Sequence, residues 1–169
     1  MSKTNFYDLS FDQLKNFLVE EVGVNSKQAK MRAQQLFQSC YKKNIKSFDE
    51  LTTFSLDLRE KIKDLISLEK SAKIIEVQKS KVDGTLKFLL ELKKEKRQTE
   101  TVLIPDKTKL RYTICLSVSV GCFLNCQFCA TAQISKKLVR NLSASEIMSQ
   151  IMLCKEYFGI LVGKNRSRP

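Results

Sequence analysis

The chain has 169 residues, 43% of them apolar, with 30 Lys and Arg against 18 Asp and Glu, no His, and a formal charge of +12. That apolar content excludes a disordered polyelectrolyte, and the length bounds the fold to one domain or two small ones. No stretch approaches the roughly 18 apolar residues of a membrane span, and the start, MSKTNFYDLS, has no apolar signal core, so a cytoplasmic protein without a membrane partner is expected. The charge favours a polyanionic partner such as RNA, although solvated lysine faces give the same balance. From Arg111 onward the bias sharpens, with eight Lys or Arg facing two Glu.

In chain order, residues 1–9 read as a tail docking at Phe6 and Leu9. Ser10 is a helix N-cap with Gln13 three residues on, and Leu14, Phe17 and Leu18 follow at helical spacing before Gly23. Ser26 is expected to cap a second helix with a stripe of Ala29, Ala33, Leu36, Phe37 and Cys40. Ser47 and Glu50 form another capping box, with Leu51 and Phe54 behind it. Leu58, Ile62, Leu65 and Ile66 suggest a fourth short helix, giving a compact helical segment over residues 1–70.

The pattern then changes to strands. Residues 71–79 carry Ile74, Ile75 and Val77, and the Asp83-Gly84 pair turns the chain into a strand over residues 85–92. Lys93 to Arg97 make a second turn. A strand over residues 101–104 is expected to end at Pro105, and another runs over residues 111–118. Three or four antiparallel strands therefore fill and flank a linking region over residues 71–110. After them Ser143 caps a helix whose Glu146 closes the capping box, with Ile147, Ile151, Cys154 and Phe158 on one side. Strand, loop and helix over residues 111–169 read as the first unit of an incomplete β/α barrel. The fold class is therefore α/β, with an α+β N-terminal part. Catalytic groups in such folds sit on loops after the strands.

That loop holds the chemistry. Cys122, Cys126 and Cys129 form a C-x3-C-x2-C cluster with Cys115 upstream, so four of the six cysteines fall within fifteen residues. Thiolates select zinc, copper(I) or iron–sulfur centres, and no hard-metal ligand lies between these three. A structural zinc takes four ligands, the fourth here being Cys115 or Cys154. An iron–sulfur cubane on three cysteines leaves one iron open for a ligand. Buried thiols without chemistry account well for Cys40 and Cys154 but poorly for three cysteines in eight residues. Clustering, rather than dispersed pairs, points to a centre in a reducing compartment.

The wider stretch TICLSVSVGCFLNCQFCATAQ, followed by KLVRNLSASEI, resembles the radical S-adenosylmethionine (SAM) enzymes that methylate C2 of adenine in ribosomal and transfer RNA. Thr113, Cys115, Ser117, Val120, Gly121, Cys122, Cys126, Phe128, Cys129, Thr131, Arg140, Asn141, Leu142, Glu146 and Ile147 match that family's pattern. Ser119 stands where the family usually has glutamine, and residues 134–137 replace a Gly-containing link. Upstream, RAQQL, SFDEL, KVDGTLKFL and TETVLIP are also similar to the family.

The resemblance implies that Cys122, Cys126 and Cys129 hold a [4Fe–4S] cluster whose open iron binds S-adenosyl-L-methionine. It implies that Cys115 resolves a protein–RNA crosslink through a disulfide with a methyl-carrying cysteine, and that Glu100 is a glutamate near the active site. The proton-abstracting base has no assignment. The implied partners are 23S rRNA, tRNA and an electron donor such as flavodoxin. Family members are roughly twice as long, with a Gly-Glu-Pro motif and the methyl-carrying cysteine in the later part. A fragment or a separately encoded C-terminal half is therefore expected. The alternative is a non-catalytic, basic RNA-binding module stabilised by zinc or an iron–sulfur cluster.

Overall fold

A computed structural model of the chain describes residues 3–106, 111–122, 124, 126–130 and 140–157. They fall into two compact units, one of residues 3–69 with 155–157 and one of residues 70–154.

The first unit is helical. Helix α1, Phe11–Glu20, begins as its sequence requires: Ser10 Oγ accepts from the Gln13 N–H at 3.3 Å, and Gln13 Oε1 accepts from the Ser10 N–H at 2.9 Å. Both bonds satisfy donors that a helix start leaves unpaired. Leu14 and Leu18 lie on its buried face. Helix α2, Ser26–Phe37, is capped by Asn25 rather than Ser26, because the Asn25 side chain accepts from the Lys27 N–H at 3.0 Å. Ala29, Ala33 and Leu36 are its buried stripe. The chain continues as a π-helical turn, Gln38–Lys43, that ends at Asn44 in the left-handed region, φ 52°. Asparagine tolerates that conformation better than most side chains. Cys40 is fully buried in this turn, and burial pushes its thiol up to about 12.

The Ser47–Glu50 capping box is present but opens only a single 3-10 turn, Phe48–Glu50. Helix α3, Leu56–Leu65, takes Ser55 as its cap. Residues 3–9 dock at Phe6 as expected, and they also form regular structure. Strand β1, Thr4–Asn5, pairs in parallel with β2, Ile66–Ser67, and Phe6–Asp8 form a 3-10 turn. Phe6 and Tyr7 are the buried anchors, while Leu9 is only half-buried. Phe6 packs its ring 5.3–5.5 Å from Tyr7, Phe37 and Tyr41.

The second unit is a four-stranded antiparallel sheet, in order β3, Ala72–Lys79; β4, Leu86–Leu92; β5, Gln98–Asp106; and β6, Arg111–Cys115. Gly84 turns β3 into β4 at φ +80°, a conformation glycine adopts without a Cβ clash. One face buries Leu86, Phe88, Leu90 and Leu92 with Thr99, Thr101 and Leu103. Strand β5 runs through Pro105 rather than ending there. Its pairing with β4 stops at Leu103, so beyond that point only β6 flanks it, and proline is tolerated on such an edge.

Strand β6 is shorter than the expected 111–118 and ends at Cys115; the chain then pairs again as β7, Ser119–Val120, antiparallel to β8, Arg140–Asn141. Helix α4, Ala144–Tyr157, follows with the expected Ser143–Glu146 box. Its buried face differs from the expected one. Ile147 and Ile151 are half-exposed, whereas Ser145, Glu146, Ser149, Gln150, Met152 and Cys154 are buried. Phe158 and residues 159–169 lie outside the described residues. No described helix is long and apolar enough to cross a membrane.

Candidate metal and thiol site

Cys115 is the last residue of β6 and is exposed. It stands opposite Val102 on β5, and cross-strand partners share a face of the sheet. Glu100, two residues before Val102, is on that same face. The two residues expected to be catalytic therefore share a sheet surface, away from the apolar core face. Glu100 is itself paired, its carboxylate 3.1 Å from Lys87 Nζ.

Cys122, Cys126 and Cys129 follow on the loop between β7 and β8, each partly exposed. The Cys129 N–H donates to the Cys126 carbonyl at 3.0 Å, a tight turn that brings the two ends of C-x2-C together. Beside them Leu124 and Phe128 are 79% and 92% exposed, so this part of the loop is open. Among the described residues no three Cys, His, Asp or Glu side chains are gathered closely enough to hold a metal ion. The donor set nonetheless fits a thiophilic centre: three accessible thiols, two of them brought together by one turn, and no carboxylate interleaved. No disulfide joins any of the six cysteines. The disulfide implied for Cys115 is thus unsupported, its implied partner being a cysteine of the later part of longer relatives. Burial pushes the Cys154 thiol up to about 11, so in the metal-free protein it is a neutral buried thiol at neutral pH.

The base of the loop is held by polar side chains. Arg140 on β8 donates from both terminal nitrogens to Glu146 at 2.8 Å and from Nε to Glu95 at 2.9 Å. These hydrogen bonds hold the Glu146 carboxyl below the usual glutamate range, helped by the Ser143 N–H. Arg140 is thus a structural clamp at the base of the loop. Arg111 likewise pairs with Asp106 at 3.0 Å, and Lys155 donates to the Tyr41 carbonyl at 3.3 Å. Thr131, the link over residues 134–137 and the basic residues Lys164, Arg166 and Arg168 lie outside the described residues.

On the other side of the loop, the Leu142 N–H donates to the Val118 carbonyl at 2.8 Å. Ser117 Oγ donates to the Glu100 carbonyl at 2.7 Å, and the Ser117 peptide groups are bound by Gln150. Sequence reasoning missed Gln150, Ser149 and Thr101. The available signal was three polar residues, Ser145, Ser149 and Gln150, at helical spacing in a helix whose apolar stripe is ambiguous.

The chain is similar to known proteins along most of its length. Residues 4–68 match the family described as ribosomal RNA large subunit methyltransferase N-terminal domain. The dual-specificity RNA methyltransferase RlmN of Campylobacter fetus is 40% identical over 162 residues, covering 89% of this chain and 42% of that protein. The RlmN of Agrobacterium fabrum is 40% identical over 143 residues, 82% of this chain and 34% of its own length. The probable RlmN of Staphylococcus aureus is 39% identical over 150 residues, 89% and 38%. A crystal structure of a radical SAM methyltransferase from Sphaerobacter thermophilus superposes with a TM-score of 0.73 at 28% identity, covering 93% of this chain and 43% of that one. The expected architecture, helices, then an antiparallel sheet, then an unclosed β/α arrangement, is the one this neighbour shares. The chain spans about two fifths of the length of the curated relatives it matches.

Proposed function

Because the chain belongs to the RlmN family of radical SAM methyltransferases, we propose that it supplies the helical unit and cysteine loop of an enzyme that methylates C2 of an adenine in 23S rRNA and in tRNA. The observation that carries this reading is the C-x3-C-x2-C loop, mounted between β7 and β8 just beyond the exposed Cys115. Cys122, Cys126 and Cys129 are the residues to hold a [4Fe–4S] cluster, with S-adenosylmethionine at the open iron. When bound, that pair supplies one-electron chemistry suited to adenine C2, a carbon that is not nucleophilic.

The chain's own groups position and finish the reaction. Cys115 presents an accessible thiol from a fixed strand end, and its thiolate form is the one that attacks the sulfur linking the methyl-carrying cysteine to RNA. Breaking the carbon–sulfur bond joins the two sulfurs in a disulfide and leaves the bond's electron pair on the methylene carbon, which takes up a proton to become the methyl group of the adenine. Glu100, held by Lys87, stands on the same face and lines that surface. Residues 1–70 serve RNA binding, residues 71–110 connect, and residues 111–169 begin the radical SAM domain. The methyl-carrying cysteine comes from the remainder of the protein or a separately encoded half. An electron donor such as flavodoxin reduces the cluster, and the setting is the cytoplasm.

The test is anaerobic purification with iron and sulfide analysis, electron paramagnetic resonance of the reduced protein, and titration with S-adenosylmethionine. About four irons per chain with a signal that S-adenosylmethionine perturbs is the expected result. About one zinc per chain, or no metal, rejects it in favour of a basic RNA-binding module.

A further inference from the structure

We propose that Gln150 is a positioning residue for the cysteine loop, holding the Ser117 backbone so that Cys115 and Cys122 stand at a fixed offset on either side of it. This inference rests on the reading of that loop as the cluster site.

Gln150 lies within α4 and is fully buried. Its Oε1 accepts from Thr101 Oγ1 at 2.7 Å and from the Ser117 N–H at 3.0 Å, and its Nε2 donates to the Ser117 carbonyl at 2.8 Å. The carboxamide therefore presents to Ser117 the same donor and acceptor pair that a neighbouring strand would present. The pairing of β6 with β5 ends at Cys115, two residues earlier. Gln150 takes over where that ladder stops. The Ser117 hydroxyl, bonded to the Glu100 carbonyl at 2.7 Å, ties the same residue back to β5. With its N–H, carbonyl and hydroxyl all engaged, Ser117 is fixed in position and orientation.

An apolar side chain of the same length fills the same volume but aims at nothing. Burying an amide costs free energy unless its hydrogen bonds are made, and here two are made to Ser117, in the segment that leads into the cysteine loop, and one to Thr101 on β5. Directional bonds of this kind specify where a backbone stands, whereas apolar contact specifies mainly that it is covered. Thr101 orients the amide from the opposite side, because its hydroxyl donates to the oxygen that also receives the Ser117 N–H.

The test uses the full 169-residue chain as wild type, Gln150→Met, Thr101→Val and Thr101→Ser. Three quantities are read: amide exchange at Ser117 and Val118, the rate of Cys115 alkylation by iodoacetamide in the iron-free protein, and the rate of iron extraction by a chelator after anaerobic reconstitution. Loss of the three Gln150 bonds raises Ser117 exchange and iron loss about tenfold and changes Cys115 alkylation about threefold. Exchange in α1 to α3 stays as in wild type. Thr101→Val gives a smaller change in the same direction, and Thr101→Ser, which keeps the hydroxyl, behaves as wild type.

Wild-type iron loss and Cys115 alkylation in Gln150→Met, despite faster Ser117 exchange, overturns the proposal and leaves Gln150 a packing residue. So does a uniform rise in exchange across the second unit that Thr101→Ser reproduces. If the wild-type chain takes up no iron, the proposed function fails, while Ser117 exchange and Cys115 alkylation still decide the role of Gln150.

Discussion

The interiors of the two units are built from different chemistry. In the helical unit the core is Phe6, Leu14, Leu18, Leu36, Phe48 and Ile62, with Ser39 and Asn44 its only buried polar side chains among the described residues. In the second unit the apolar sheet face of Leu86, Phe88, Leu90 and Leu92 is accompanied by buried Thr99, Thr101, Ser145, Glu146, Ser149 and Gln150. Every one of those buried side-chain polar atoms finds a partner. Apolar contact is non-directional and supplies stability in proportion to area. Hydrogen bonds in a dry interior are directional and costly to leave unmade, so they fix geometry. The unit that carries the cysteine loop is the one in which geometry is fixed this way.

Breaking each kind of interior sharpens the contrast. Phe6→Ala removes a fully buried ring from a cluster of three neighbouring rings and lowers the stability of the helical unit by about 3–5 kcal/mol, read by urea denaturation. A loss under about 1 kcal/mol contradicts the apolar account of that unit. Arg140→Ala leaves the Glu146 carboxylate, 6% exposed, without its two-point partner. Because Arg140 is about one-third exposed, the expected loss is about 2–3 kcal/mol, below that of a fully buried pair. Arg140→Lys keeps the charge but not the planar fork, and recovers less than half of it.

The same pair sets a pH dependence. The folded Glu146 carboxyl is held below its unfolded value, mainly by Arg140. Its contribution is therefore complete above the unfolded value of about 4.3 and lost as pH falls through the folded one. Melting curves from pH 7 down to pH 3 should fall more steeply for wild type than for Arg140→Ala; parallel curves refute the coupling. Ser149→Ala takes from the Ser71 N–H its acceptor at 2.7 Å, and costs about 1–2 kcal/mol in the second unit by the same denaturation measurement. The smallest effect is Ser10→Ala, which opens the α1 capping box at a cost of about 1 kcal/mol.

Much of this was legible in one dimension. Capping boxes at Ser10, Ser47 and Ser143 are local, since a side chain meets a backbone three residues away, and all three are present. The Asp83-Gly84 turn is equally local. Strand β5 went wrong at Pro105 because the cost of proline depends on whether a second strand flanks that residue, which pairing decides. The face of α4 went wrong for a related reason. Ile147 and Ile151 suggest one buried stripe, but the sheet offers hydroxyl and peptide groups that match Ser149 and Gln150 instead.

The candidate site divides the same way. Spacing alone brought Cys122, Cys126 and Cys129 together as a donor set, and the surrounding motif brought in Cys115 and Glu100. That Cys115 and Glu100 share a sheet face follows from register, since a shift of one residue between β5 and β6 would place them on opposite sides. The sequence by itself determined the capping boxes, the Asp83-Gly84 turn, the spacing of the thiol donors and the resemblance to a family, because each depends on neighbours along the chain or on a motif read whole. Only the tertiary structure decided that Arg140 clamps Glu146 and that Gln150 holds Ser117. Those roles belong to pairs 6 and 33 residues apart, and no local periodicity records which distant group a polar side chain will meet.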